Sequence, residues 1–433
     1  MDAARPPTSA NKTSDGTVAV WVLAALILVS INLRPAVTTV AGVMGQLQAA
    51  FGVDARLLPV LGALPVLAFG ISAPCGPWLA GKLGAGRAVA AALMVLAAAL
   101  VIRVLVPGML LPGTFLAGSS IMAASVMVPQ IVKANRGGGW WTGLCTMGFG
   151  LGAALGAGLV QPLQDALGGS LSGALAFWAV PALLAAFLIG RPGSGPAKPA
   201  TAGQGTPAKQ GASGVLLPSR MPLSSGVPLR RQRTAWAVTA FFGLQAMLYF
   251  AITSWLSVYL VSRGLEPDAG AGLLAWFSVA GLPASLLAPV LAARPAVLKL
   301  MAPALGMLVA AALLGVLMAP AELQFLMVGL LGIVQSAGFG LGMALIVLRS
   351  AGPRSAGGLS AMSQGLGFAL ASLGPLGAGF LHEWSGGWEV PFWVLSAEAV
   401  LLAVAGYLAV RGPLVSAGAA HPERLGEPAD VGR

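Results

Sequence analysis

Apolar residues run along this chain in twelve long stretches, divided six and six by a basic, Pro/Gly/Ser-rich segment at residues 191–233. The stretches cover about 17–41, 57–79, 87–106, 109–131, 140–162, 171–190, 234–260, 269–292, 299–319, 323–348, 358–381 and 389–410. A hydrocarbon core about 30 Å thick takes roughly 20 apolar residues per helical crossing. No water is available at that depth, so a crossing segment satisfies its own backbone, which predicts helices. The pattern predicts an all-α membrane protein: twelve transmembrane helices in two pseudo-symmetric six-helix halves, a layout of rocking-bundle transporters. Residues 1–16 read as a disordered arm, 17–190 as the first half, 191–233 as a flexible tether, 234–410 as the second half and 411–433 as a disordered tail. The first apolar segment is too long for a signal peptide and lacks a convincing cleavage site, so it reads as a retained helix.

An internal repeat supports two related halves. Gly143 to Gly152 in the fifth stretch and Gly358 to Gly367 in the eleventh share six of ten residues at an offset of 215. The same offset superposes Ala73-Pro74 on Ala288-Pro289. Gly148, Gly152 and Gly156 recur every four residues, the small-residue spacing of tight helix contact in membranes.

Composition sharpens the picture. The chain has 433 residues, 57% hydrophobic and 9% charged, with a mean hydropathy of +0.87. Soluble domains carry about 25% charged residues, so the solvent here is lipid. The net charge of +11 does not point to nucleic acid, because the basic residues alternate between loops. Lys82 and Arg87, Lys133 and Arg136, the run from Arg191 to Arg233, Arg294 and Lys299, Arg349 and Arg354, and Arg411 mark one side. Asp54, Asp165, Glu266, Asp268, Glu322, Glu383 and Glu389 mark the other. By the positive-inside rule, both termini and the tether are cytoplasmic, and a multi-pass protein of a bacterial inner membrane is expected.

The rare ionisable residues at membrane depth are Arg34, Arg103 and Glu398, and burying a charge there is costly enough to suggest function. Arg34 is the leading candidate. It lies two thirds along the first crossing in Asn32-Leu33-Arg34-Pro35, where Pro35 kinks the helix and a guanidinium fork aimed inward would bind a planar anion. The repeat offset sets Tyr249 opposite Arg34, with Gln245 one turn earlier; the alternative for Tyr249 is an interfacial aromatic. Arg103 is expected to snorkel to the outer surface, and Glu398 to serve packing rather than carry protons. Among the polar residues at depth, Gln335 and Gln364 are favoured for substrate contact, with Asn32 and Thr146 beside them. Ser119, Ser120, Ser125, Ser336, Ser360 and Ser363 read more readily as helix-packing hydroxyls. No GxxxxGK[ST] loop, no metal cluster around His382 and His421, and no CxxC spacing at Cys75 and Cys145 is present. An enzyme, a metal site and a bound cofactor are therefore not expected.

At Asn32-Leu33-Arg34-Pro35-Ala36 the chain resembles the cyanate / 2-nitroimidazole permease family of the major facilitator superfamily. Further matching stretches are Val128-Pro129 to Lys133, Gly143 to Met147, Phe241 to Gln245, Gly281 to Ser285 and Leu359 to Gln364, so the similarity spans nearly the whole chain. The resemblance implies a twelve-helix major facilitator fold and transport of a small polar or anionic solute that is cyanate-, nitroimidazole- or carboxylate-like, by alternating access. The superfamily's cytoplasmic loop after the second helix usually carries an Asp among basic residues. Here Gly76 to Arg87 keeps only the basic Lys82 and Arg87 as gating candidates. Expected partners are the solute and the bilayer, with a coupling ion such as a proton left open, no nucleic acid and a monomeric state. Efflux of a drug-like compound by the same fold is the alternative; a membrane sensor or scaffold is a further one, though no folded soluble module is evident.

Overall fold

The computed structural model describes residues 10–52, 58–191 and 228–416. Ten helical spans are long and apolar enough to cross a bilayer. They are α1 (Val20–Val40), α3 (Ala85–Leu105), α4 (Leu110–Ala134), α6 (Leu171–Ile189), α7 (Arg233–Ser262), α8 (Ala269–Ala292), α9 (Pro295–Met318), α10 (Ala321–Leu348), α11 (Pro353–Ser385) and α12 (Glu389–Arg411). Two bent pairs complete the set. α2 is Leu64–Ser72 with Cys75–Leu83, bent by 51°, and α5 is Gly139–Gly158 with Val160–Ala166, bent by 49°. Counted as one crossing each, they bring the total to twelve. The described residues contain no sheet, only an isolated parallel bridge between Ser350 and Val415. Large apolar side chains such as Leu300, Met318, Leu376 and Phe380 are exposed on the helix perimeter, as a lipid-facing surface requires.

Two glycine-lined seams organise the interior. Gly148, Gly152 and Gly156 of α5 all lie against α1, and a Cβ at Gly152 would overlap the Ile31 carbonyl oxygen. At the repeat offset, Gly367 of α11 lies against Gly243 of α7 in the same way. Contacts between the halves gather toward the ends that bear Lys82, Lys133, Arg136, Arg294, Arg349 and Arg354. Here α5 packs on α8, α2 and α4 on α11, and α10 on α4 and α5. A Cβ at Gly143 would strike the Leu286 carbonyl, and Thr146 Oγ1 donates to Ser285 O at 2.6 Å. Lys133 Nζ donates to Val347 O at 3.1 Å, adding a cation where the carbonyls of α10 end. The halves are thus closed against each other on the basic side.

Three expectations need correction. Arg103 does not reach the outer surface. It is 1% exposed, its Nη1 donates to Ala36 O at 3.0 Å, and Gly113 of α4 lies hard against its stem. The first helix begins at Ala10, inside the stretch expected to be disordered. Val415 and Ser416, in the stretch expected to be a disordered tail, are held through their backbone groups. Ala351 N donates to Val415 O at 2.9 Å, Val415 N to Arg349 O at 2.7 Å, and the Gln232 amide clamps Ser416 at both its N–H and its carbonyl. Most of the expected tether (192–227), the first nine residues and 417–433 lie outside the described residues.

Candidate solute site between the helix halves

The site starts from a missing donor. Pro35 has no N–H to continue the ladder, and the helix breaks: one segment ends at Asn32 and the next begins at Pro35. Arg34 stands in the break, and its carbonyl is taken up by the N–H groups of Val37 and Thr38 at 3.1 and 3.2 Å. Its side chain enters a small cavity between the halves. Ser125 of α4 and Gln364 of α11 also face that cavity, within walls of Phe69, Phe149, Phe339 and Phe368.

The guanidinium carbon lies 5.9 Å from the Phe149 ring centre and 5.8 Å from that of Phe339. This is the range of a cation–π contact. The two rings come from opposite halves and meet edge to face at 5.8 Å and 90°. Phe69 and Phe368 form a second pair across the halves at 5.4 Å. Among the described residues, no carboxylate pairs with Arg34 and no side chain or carbonyl accepts its N–H groups; Tyr249 lies within electrostatic reach. Tyr249 itself packs against Phe250 and Phe277.

The other polar candidates divide by what already holds them. Gln364 lines the cavity but is engaged at both ends: its Oε1 accepts from Ser125 Oγ at 2.8 Å and its Nε2 donates to Ser360 Oγ at 2.7 Å. Gln245 donates to the carbonyl and to Oε1 of Gln335 at 3.1 and 3.3 Å, leaving Gln335 Nε2 without a partner. Neither of the two lines the described cavity. Asn32 turns back to Leu28 O at 2.8 Å, and Thr146 bridges the halves at Ser285. Lys82 and Arg87 are exposed on the basic side, Lys82 Nζ resting 4.1 Å above the Trp78 ring. Glu398 is buried between α12 and its neighbours, with Oε1 unpartnered.

Sequence reading missed two features. Ser125 joins the halves through Gln364 rather than packing within its own half, and the aromatic walls carry no sequence signal. The repeat offset sends Phe149 to Gln364 and Phe69 to Ala284, so symmetry does not reveal them either.

Residues 20–372 match the profile of the Major Facilitator Superfamily. An uncharacterized transporter of Bacillus subtilis, YycB, is 30% identical over 390 residues, covering 89% of this chain and 92% of its own. The 2-nitroimidazole transporter of Escherichia coli is 29% identical, covering 90% and 95%, and the cyanate transport protein CynX of the same organism 28%, covering 88% and 94%. Among solved structures, the transporter FucP in its outward conformation superposes with a TM-score of 0.67 at 16% identity, over 89% of this chain and 98% of that one.

Proposed function

The chain belongs to the major facilitator superfamily and is a secondary active transporter of a small solute, not an enzyme; from that premise we propose that its solute is an anion held between the halves by Arg34. The observation that carries this reading is a guanidinium inside a central cavity with no acid, among the described residues, to neutralise it. A fixed cation at membrane depth is costly, and an anionic solute would offset that cost each time it binds. Gln364 lines the pocket beside the anion, Tyr249 stands within electrostatic reach of Arg34, Asn32 caps the turn before the break at Leu28 O, and the Gln245–Gln335 and Thr146–Ser285 bonds hold the helices around it. The relatives named for 2-nitroimidazole and cyanate support a small, flat solute.

The proposal extends to orientation. The basic face lies in the cytoplasm of a bacterium, with the protein in the inner membrane, both termini inside and a monomer as the working unit. Closure on that face then corresponds to an outward-facing state, and alternating access requires the bonds at Thr146 and Lys133 to open. A proton is one candidate for the coupling ion.

The test is uptake into proteoliposomes. Arg34→Gln is expected to lower apparent affinity for a transported anion about 10- to 100-fold, the worth of a charge-assisted hydrogen-bonded contact. Arg34→Lys should recover only part of it, since a point charge does not replace the fork. Unchanged anion transport by well-folded Arg34→Gln would refute the proposal.

A further inference from the structure

The cavity beside Arg34 has a volume of about 20 Å³, room for a single water-sized body and for no solute. A solute can therefore settle on Arg34 only as the walls part, and contacts between the halves hold those walls together. Phe149 meets Phe339, Phe69 meets Phe368, and Ser125 Oγ donates to Gln364 Oε1 at 2.8 Å. A small anion cannot replace the ring contacts once they separate. The Ser125–Gln364 contact is different, a neutral hydrogen bond between two residues each more than nine-tenths buried. An anion that accepts from the Ser125 hydroxyl replaces it acceptor for acceptor, and with a stronger, charge-assisted bond. At the repeat offset Gln364 matches Phe149, so of two related seams the one between α4 and α11 is exchangeable.

The position of that bond ties it to the gate. Ser125 ends one segment of α4 and Val128 begins the next; Pro129 supplies no N–H to the Ser125 carbonyl, so the helix breaks there. The segment beyond the break, Val128–Ala134, carries Gln130 and Lys133. These meet Gly357 of α11 and the Val347 carbonyl of α10. Gln364 lies about two turns beyond Gly357 on α11, steadied by its Nε2 bond to Ser360 Oγ at 2.7 Å. A ligand shifts a conformational equilibrium only through interactions that differ between the states. The Ser125–Gln364 bond is one, because parting the halves breaks it. We propose that Ser125 and Gln364 form a solute-operated latch on the basic-side gate. An anion held on Arg34, a step that rests on the reading above, takes the Ser125 hydroxyl from Gln364 Oε1. The proton stays on Ser125 and only its acceptor changes. Gln364 Oε1 then turns to water admitted as the seam opens, and the hinged end of α4 is released from α11.

The test replaces Arg87 of the first half and Arg354 of the second, both exposed, by spin labels in the full chain, with Cys75 exchanged for Ala. Their distance is followed with and without sodium cyanate or sodium acetate. In the otherwise wild-type chain, an anion bound by Arg34 should raise the long-distance fraction. Ser125→Ala and Gln364→Leu remove the bond from opposite sides. Each should raise that fraction about 2- to 10-fold with no anion present, the worth of one neutral hydrogen bond, and anion should add no further rise. Ser125→Thr keeps the hydroxyl and should restore the anion response. Agreement between variants on two different helices separates loss of the latch from a local packing defect. Unchanged distances in both Ser125→Ala and Gln364→Leu overturn the latch, while an Arg34-dependent anion site, read by thermal shift, would still stand. A wild-type anion response in Ser125→Ala overturns it as well. An anion response that survives Arg34→Gln instead removes the anchor and leaves the latch in place. The anion-free comparison needs no identified solute.

Discussion

Two arginines stand at membrane depth in the first six helices, and their N–H groups meet different surroundings. Those of Arg34 face a small cavity, whereas Arg103 is enclosed, with one bond to Ala36 O and with Nε and Nη2 unpartnered. Thr114 Oγ1 is unpartnered as well. A buried charge with so few partners contributes little net stability, and its replacement by an apolar side chain of similar reach is often neutral or stabilising by about 1–4 kcal/mol. Arg103→Leu is therefore expected to leave the melting temperature of the purified protein unchanged or to raise it. A marked fall would overturn the reading of Arg103 as a charge that contributes little net stability. Arg34→Gln, by contrast, should register chiefly in solute affinity, because that side chain spans a cavity rather than a packed seam.

At the scale of elements, the repeated decapeptide separates two uses of glycine on one helix. Gly152 packs α5 on α1 within a half, while Gly143 packs it on α8 of the other half. Overpacking a tight contact costs about 1–3 kcal/mol. Gly152→Val should pay that cost in every conformation and lower the yield of folded protein. Gly143→Val should pay it only when the basic side is closed, shifting the equilibrium about tenfold per 1.4 kcal/mol toward the opposite state. Spin labels at the exposed Arg87 and Arg354, one on each half, would report a longer distance in Gly143→Val and no change if the seam does not open. The crossings themselves were legible because lipid imposes length and apolarity on every span, and the break at Pro35 because proline lacks a donor. The bends of α2 and α5 fall beside Pro74 and Pro162, which interrupt the ladder as Pro35 does, and at the α2 bend Gly365 of α11 lies against Ala73. Within the site, Arg34 and Gln364 stood out as polar residues in apolar stretches. Phe149 and Phe339 did not, since one more aromatic in such a chain offers no contrast until the fold sets it beside a cation. The burial of Arg103 was equally hidden, as it depends on Gly113 of another helix.

For the whole molecule, transport requires the two halves to part on the basic side, and the contacts there specify how to prevent it. Gln130, at the end of α4, meets Gly357, at the start of α11, and a Cβ built on Gly357 lies 3.5 Å from that of Gln130. That separation falls within the span of a disulfide, about 3.5–4.5 Å. Replacing Gln130 also removes the amide atoms that would otherwise crowd the new side chain. Cys75 is exposed and would be exchanged for Ala, while Cys145 is buried and can remain. Oxidised Gln130→Cys/Gly357→Cys should bind solute from the open side yet fail to move it, and reduction should restore transport. Binding with no flux would separate the pocket from the gate, because the Arg34 cavity lies between the same halves but does not include residues 130 and 357. Transport at the unmodified rate by fully cross-linked protein would mean that the halves do not separate at this seam, and the alternating-access reading of the basic-side contacts would fail with it.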